Sequence, residues 1–112
     1  MDSEKKFLSK HIFQGLKNIN DGFDAMSILY FSEEEFAIVL DRIEDYGIGV
    51  FGIEVWIEGD FYNVQNYETY TKDPRDRDAT QKWYRKAFDL LRAENKNYQY
   101  SATYDVPEKL LK

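Results

Sequence analysis

Between Ile48 and Gln65, in IGVFGIEVWIEGDFYNVQ, an otherwise apolar run is interrupted by Glu54, which stands between Gly52 and Trp56. Val, Ile, Phe and Trp dominate, and Gly59-Asp60 offers a two-residue turn with glycine first, so the pattern predicts a β-hairpin. That turn would set Glu58 opposite Phe61, Trp56 opposite Asn63, Val55 opposite Val64 and Glu54 opposite Gln65. One face would then carry Phe51, Ile53, Val55, Ile57, Tyr62 and Val64. The other would carry Gly52, Glu54, Trp56, Glu58, Asn63 and Gln65, and is expected to be wet. Trp56 is compatible with two readings, a residue packed under a covering helix or an exposed aromatic anchor flanked by acids.

Helical spacing appears three times. Leu8, Ile12, Leu16 and Ile19 form a stripe behind a Ser3 cap and predict a first helix ending at Asn20-Asp21-Gly22. Residues 25–31 are short and apolar, either a strand or an extended lead-in. Ser32 and Glu35 form an S-x-x-E capping box with Phe31 and Phe36 as a staple. Phe36, Val39, Leu40 and Ile43 follow as a buried stripe, and Gly47 as a left-handed stop. Residues 66–77 look like a connecting loop with a turn at Asp73-Pro74. Asp78 and Gln81 would cap a third helix carrying Trp83, Tyr84, Ala87, Phe88, Leu90 and Leu91. The run YQYSATYDV alternates strictly, predicting a strand with Tyr98, Tyr100, Ala102, Tyr104 and Val106 facing inward. The expected fold class is α+β, three helices packed on a small mostly antiparallel sheet containing a central hairpin, in one domain spanning residues 1–112.

Composition narrows the function. The 112-residue chain has no cysteine, one histidine and a net charge of −6. Residues 31–78 carry thirteen acidic against four basic groups, while residues 79–112 carry four against seven. An acidic middle third makes direct nucleic-acid binding unfavourable and a basic protein partner favourable. No 18-residue apolar run or export signal is present in the sequence, so a cytoplasmic protein without membrane contact is expected.

Catalytic chemistry finds few materials here. His11 stands alone without a nucleophile motif or second ligand, and no zinc or calcium spacing occurs, so no cofactor or metal is expected. Glu33, Glu34 and Glu35 suit the positive end of a helix dipole. Gly47, Gly49 and Gly52 match no phosphate fingerprint and are better suited to a helix stop, close packing or a bulge. The expected partner-binding residues are Glu54, Trp56, Glu58 and Asp60 on the hairpin, with Asp73, Asp76 and Asp78 adding longer-range attraction.

The order of FSEEEFAIVLDRIEDYG, IGVFGIEVW, YNVQNYETY, QKWYRKAFDLL and YQYSATYDV resembles the immunity proteins of bacterial polymorphic toxin systems, in particular the immunity protein 40 family. Gly52 to Trp56 is the most specific piece, and the resemblance covers about residues 25–106. It implies a non-enzymatic protein that binds and neutralises a cognate toxin domain, which could be a basic nuclease, by occluding its active site. Two other classes remain open, an acidic adaptor or nucleic-acid mimic and a small carboxylate-using enzyme.

Overall fold

Asp2, not Ser3, caps the first helix, its Oδ1 accepting from the Glu4 N–H at 2.9 Å. In this computed structural model, which describes residues 2–75 and 82–112, α1 (Ser3–Phe7) passes into a single π-helical turn, Leu8–Ile12. The predicted continuation to Ile19 does not form. Gly15 adopts φ 83°, a left-handed conformation that ends the helical path. The Arg42 guanidinium then ties down the exit, donating to the carbonyls of Ile12 and Gln14 at 2.8 Å each.

The next helix, α2 (Glu33–Tyr46), starts where the sequence predicts, with the Ser32 Oγ accepting from the Glu35 N–H at 3.3 Å. Only this half of the capping box is made. The Glu35 carboxylate turns away to accept from the Lys17 N–H at 2.7 Å, pinning the segment after α1. Phe31 and Phe36 are both fully buried, and Gly47 closes the helix at φ 71°. Ser32→Ala is expected to lower stability by about 1 kcal/mol through loss of the cap, measured as a shift in urea midpoint with unchanged slope.

Three strands follow, β1 (Gly49–Ile57), β2 (Asp60–Asn66) and, after α3 (Trp83–Ala93), β3 (Gln99–Asp105). They form an antiparallel sheet in the order β2-β1-β3, so the fold is α+β as expected. Residues 25–31 contribute no full strand; Phe31 alone makes a bridge to Tyr100 at the outer edge of β3. The helix start at Trp83 has Lys82 in the capping position without a side-chain cap. The expected caps Asp78 and Gln81 lie outside the described residues.

The hairpin register differs from the expected one. The turn residues are Glu58 and Gly59, both at positive φ, 50° and 83°, which is the mirror-image turn whose twist suits two antiparallel strands. Ile57 therefore pairs with Asp60 and Trp56 with Phe61. A bulge then places Val55 opposite Asn63 and Glu54 opposite Val64. Val64 consequently leaves the inner face and joins that of Glu54, an inversion that a register slip of this kind imposes on a strand of period two.

Ile53, Val55, Tyr98 and Tyr100 face α2 and α3, whose Phe36, Leu40, Ile43, Trp83, Phe88 and Leu91 complete one core. The Trp83 indole donates to the Val50 carbonyl at 3.0 Å, and Arg85 of α3 bridges Asp41 and Glu44 of α2. A second bulge between Val50 and Gly52 turns Phe51 outward. Gly49 is required by packing, since a Cβ there would lie 2.9 Å from the Pro74 carbonyl oxygen. The tyrosines of β3 point inward as expected, with Tyr98, Tyr100 and Val106 buried and Tyr104 half-buried. Ser101, on the opposite face, is also buried, because that face has a cover of its own.

Candidate functional site, a half-roofed sheet face

The cover is the loop between α1 and α2, and two asparagines shape it. Asn20 is buried, its amide donating to the carbonyls of Ala25 and Ile28 at 3.0 and 2.8 Å and its Oδ1 accepting from the Gly22 N–H at 3.0 Å. Asn18 accepts from the N–H groups of Asn20 and Tyr30, both at 3.0 Å. These side chains replace the regular backbone ladder that the connection over residues 13–32 lacks. The loop so formed lays Phe23, Asp24 and Tyr30 over the hairpin, and Gln99 of β3 fixes the turn by accepting from the Gly59 N–H at 3.0 Å.

Glu54 has its partners on this loop and on its own strand. Its Oε2 accepts from the Trp56 indole N–H at 2.5 Å and from the Tyr30 hydroxyl at 2.8 Å. The same hydroxyl lies 2.6 Å from the Asp24 Oδ2. Burial, reinforced by hydrogen bonds to Asp24 and Glu54, pushes the Tyr30 hydroxyl far above the ordinary tyrosine range. A neutral donor is thus held beside two carboxylates. Phe23, Tyr30, Trp56 and Phe61 form a continuous aromatic cluster with neighbouring ring centroids 4.9 to 6.0 Å apart.

Trp56 is therefore half-buried in packing, and the face is not the fully open, wet one expected. Its accessible apolar surface has shifted to neighbours. Phe61 is 53% exposed, Val64 40% and Phe51 38%. Glu58 and Asp60 stand exposed at the hairpin tip. Between Phe51, Glu54, Val64, Asn66, Ser101 and Thr103 lies an open depression of about 160 Å³.

Asp73 is not part of this grouping. It is exposed and its Oδ1 accepts from the Arg75 N–H, in a turn whose Pro74 carbonyl binds Val50 at the start of β1. At ~3.3 Å per residue, that end of the strand lies roughly 25 Å from Glu58. Asp76 and Asp78 fall outside the described residues. His11 packs between Phe7 and Tyr46, ring centroids 4.5 and 5.5 Å away, with its Nδ1 3.2 Å from the Tyr46 hydroxyl. Among the described residues no three His, Cys, Asp or Glu side chains converge to hold a metal ion, and no helix is long and apolar enough to cross a membrane.

The sequence reading missed Asn18, Asn20, Phe23, Asp24 and Tyr30. Asn20-Asp21-Gly22 reads in the sequence as a helix stop, although Asn18 and Asn20, spaced by one residue before Asp-Gly, also signal a side-chain-bonded turn. No family model, curated protein or solved structure matches the chain.

Proposed function

We propose that the chain is an immunity-type binding protein that captures a basic toxin domain through the hairpin face and occludes its active site, acting in the cytoplasm. The observation that carries this reading is the grouping of exposed Phe61, Val64 and Phe51 beside half-buried Trp56 and Glu54, with Glu58 and Asp60 at the margin. An apolar and aromatic centre with a charged rim is the anatomy of a protein-binding patch. The acidic rim would speed encounter with a basic partner, while the apolar centre would set residence time. The motif order described above supplies the toxin-immunity context for the same reading.

The test is binding kinetics against the product of the reading frame adjacent to this gene, at two salt concentrations. Phe61→Ala is expected to weaken binding by about 2 kcal/mol, mainly through faster dissociation. Glu58→Gln with Asp60→Asn is expected to slow association and flatten its salt dependence. Unchanged kinetics in both variants would remove the hairpin face from the interface. An adaptor without a toxin partner would instead show no binding to that product by the wild type.

A further inference from the structure

We infer that the depression beside Glu54 receives an arginine side chain of the docked protein partner. The inference rests on the reading of the hairpin face as a docking surface. It starts from an imbalance of charge. Glu54 Oε2 has two donors, the Tyr30 hydroxyl and the Trp56 indole, and both are neutral. Asp24 lies against the same hydroxyl, whose single hydrogen can serve only one carboxylate at a time. The ion pairs of the described residues, Arg75–Asp105, Arg85–Asp41, Arg85–Glu44 and Arg92–Asp89, leave both acids without a cation. Glu54 Oε1 accepts no hydrogen bond among the described residues. Glu54 is half-buried and its Oε1 is not among the buried unpaired polar atoms of the described residues, so this oxygen faces solvent. A partner's cation can take the place of water on a carboxylate whose protein donors are all neutral.

The shape of the depression selects the cation. Gly52 lies on the same face as Glu54, and its missing side chain opens the floor; a Cβ there would meet the Asn66 Oδ1 at 3.0 Å. Asn66 Oδ1 and the hydroxyls of Ser101 and Thr103 offer further acceptors around the carboxylate, and Phe51 forms an apolar wall. A planar guanidinium presents several donors in one plane, stacks on an aromatic ring and is more weakly hydrated than an ammonium. A volume of about 160 Å³ suits the tip of a single side chain.

The probe is N-acetyl-arginine amide, followed by the indole N–H resonances of the two tryptophans. The Trp56 N–H donates to Glu54, whereas the Trp83 N–H donates to the Val50 carbonyl within the core and serves as a folding control. A saturable shift confined to Trp56 is expected, with a dissociation constant on the order of 10 mM. N-acetyl-citrulline amide, neutral and nearly isosteric, should produce none, and the lysine analogue should bind at least threefold more weakly. Glu54→Gln should abolish the arginine shift. Should Glu54→Gln lose the folded Trp83 resonance, Val64→Lys decides. Val64 is exposed and pairs directly with Glu54, so a lysine there would place an ammonium over the carboxylate and block the probe. Equal shifts from arginine and citrulline, or an arginine shift that survives Val64→Lys, would overturn the inference. Toxin binding separates the two readings. Affinity lost in Phe61→Ala but unchanged in Glu54→Gln keeps the docking face and rejects its arginine, whereas a Trp56 shift without any toxin binding keeps the cation site and rejects the toxin.

Discussion

Raising the pH past 10 is expected to unfold the chain over a narrow range, with stability nearly flat from neutrality to about pH 9.5. Tyr30, Tyr98 and Tyr100 are each at most 2% exposed. Burial pushes all three hydroxyls well above the ordinary tyrosine value, aided by Asp24 and Glu54 at Tyr30, by Glu94 at Tyr98 and by Glu33 at Tyr100. The folded values lie above the unfolded one near 10. The stability this represents is therefore fully present below pH 10 and lost as pH climbs towards the folded values, because only the unfolded chain releases the protons. Burial raises the Tyr104 and Tyr70 hydroxyls as well. Each tyrosine that stays protonated in the fold contributes a slope of about 1.4 kcal/mol per pH unit, so the three alone give roughly 4 kcal/mol per pH unit and Tyr104 and Tyr70 steepen it further. Tyrosinate absorbance and far-ultraviolet circular dichroism should show these three titrating only as the fold is lost. Tyr100→Phe isolates one contribution. Its hydroxyl has no partner of hydrogen-bonding geometry among the described residues, so the substitution removes a titrating group without breaking a bond, and the alkaline slope should fall by about 1.4 kcal/mol per pH unit. Titration of all the tyrosines at ordinary values in a folded chain would contradict this account.

The same tyrosines show what the sequence makes legible. The alternation Tyr98, Tyr100, Ala102, Tyr104, Val106 marks an inner strand face because local periodicity and burial coincide there. The stripe of α2 and its Ser32 cap are equally local, and both form. The register of the hairpin was not readable, because two adjacent turns were available and the choice depended on Glu58 accepting a positive φ. Moving the turn by one residue, with a bulge after Phe61, transferred Val64 to the face now proposed for binding. Glu35 illustrates a second limit. Its position satisfied a helix-capping pattern, but a backbone N–H eighteen residues earlier, at Lys17, captured its carboxylate. The partners of Glu54 were hidden for the same reason. Tyr30 and Asp24 reach it only after the loop has folded back, and nothing periodic in that loop announces the return.

That dependence makes Asn20→Ala the most informative single substitution. It should destabilise the fold by about 2 kcal/mol, because it leaves the Ile28 carbonyl without its donor in a part-buried setting, takes one of two donors from the Ala25 carbonyl, which keeps the Ile28 N–H, and removes the acceptor for Gly22 N–H. The core formed by α2, α3 and the sheet does not depend on those bonds, so the protein is expected to remain folded with a lower melting temperature. The loss should concentrate on the hairpin face. With the loop released, Phe23 and Tyr30 no longer cover Trp56, and Glu54 exchanges the Tyr30 hydroxyl for water. Trp56 emission should move to longer wavelength while buried Trp83 keeps its environment, and hydrogen exchange should quicken at Gly22 and Tyr30 well before it does in β1 or β3. Binding then discriminates between two roles for the cover. A cover that preorganises the docking face predicts weaker partner binding by tenfold or more at a temperature where the variant is still folded, since ordering the loop would have to accompany association. Unchanged affinity with the stability loss intact would assign the loop to folding alone and leave Phe61 and Val64 as the whole of the apolar contact.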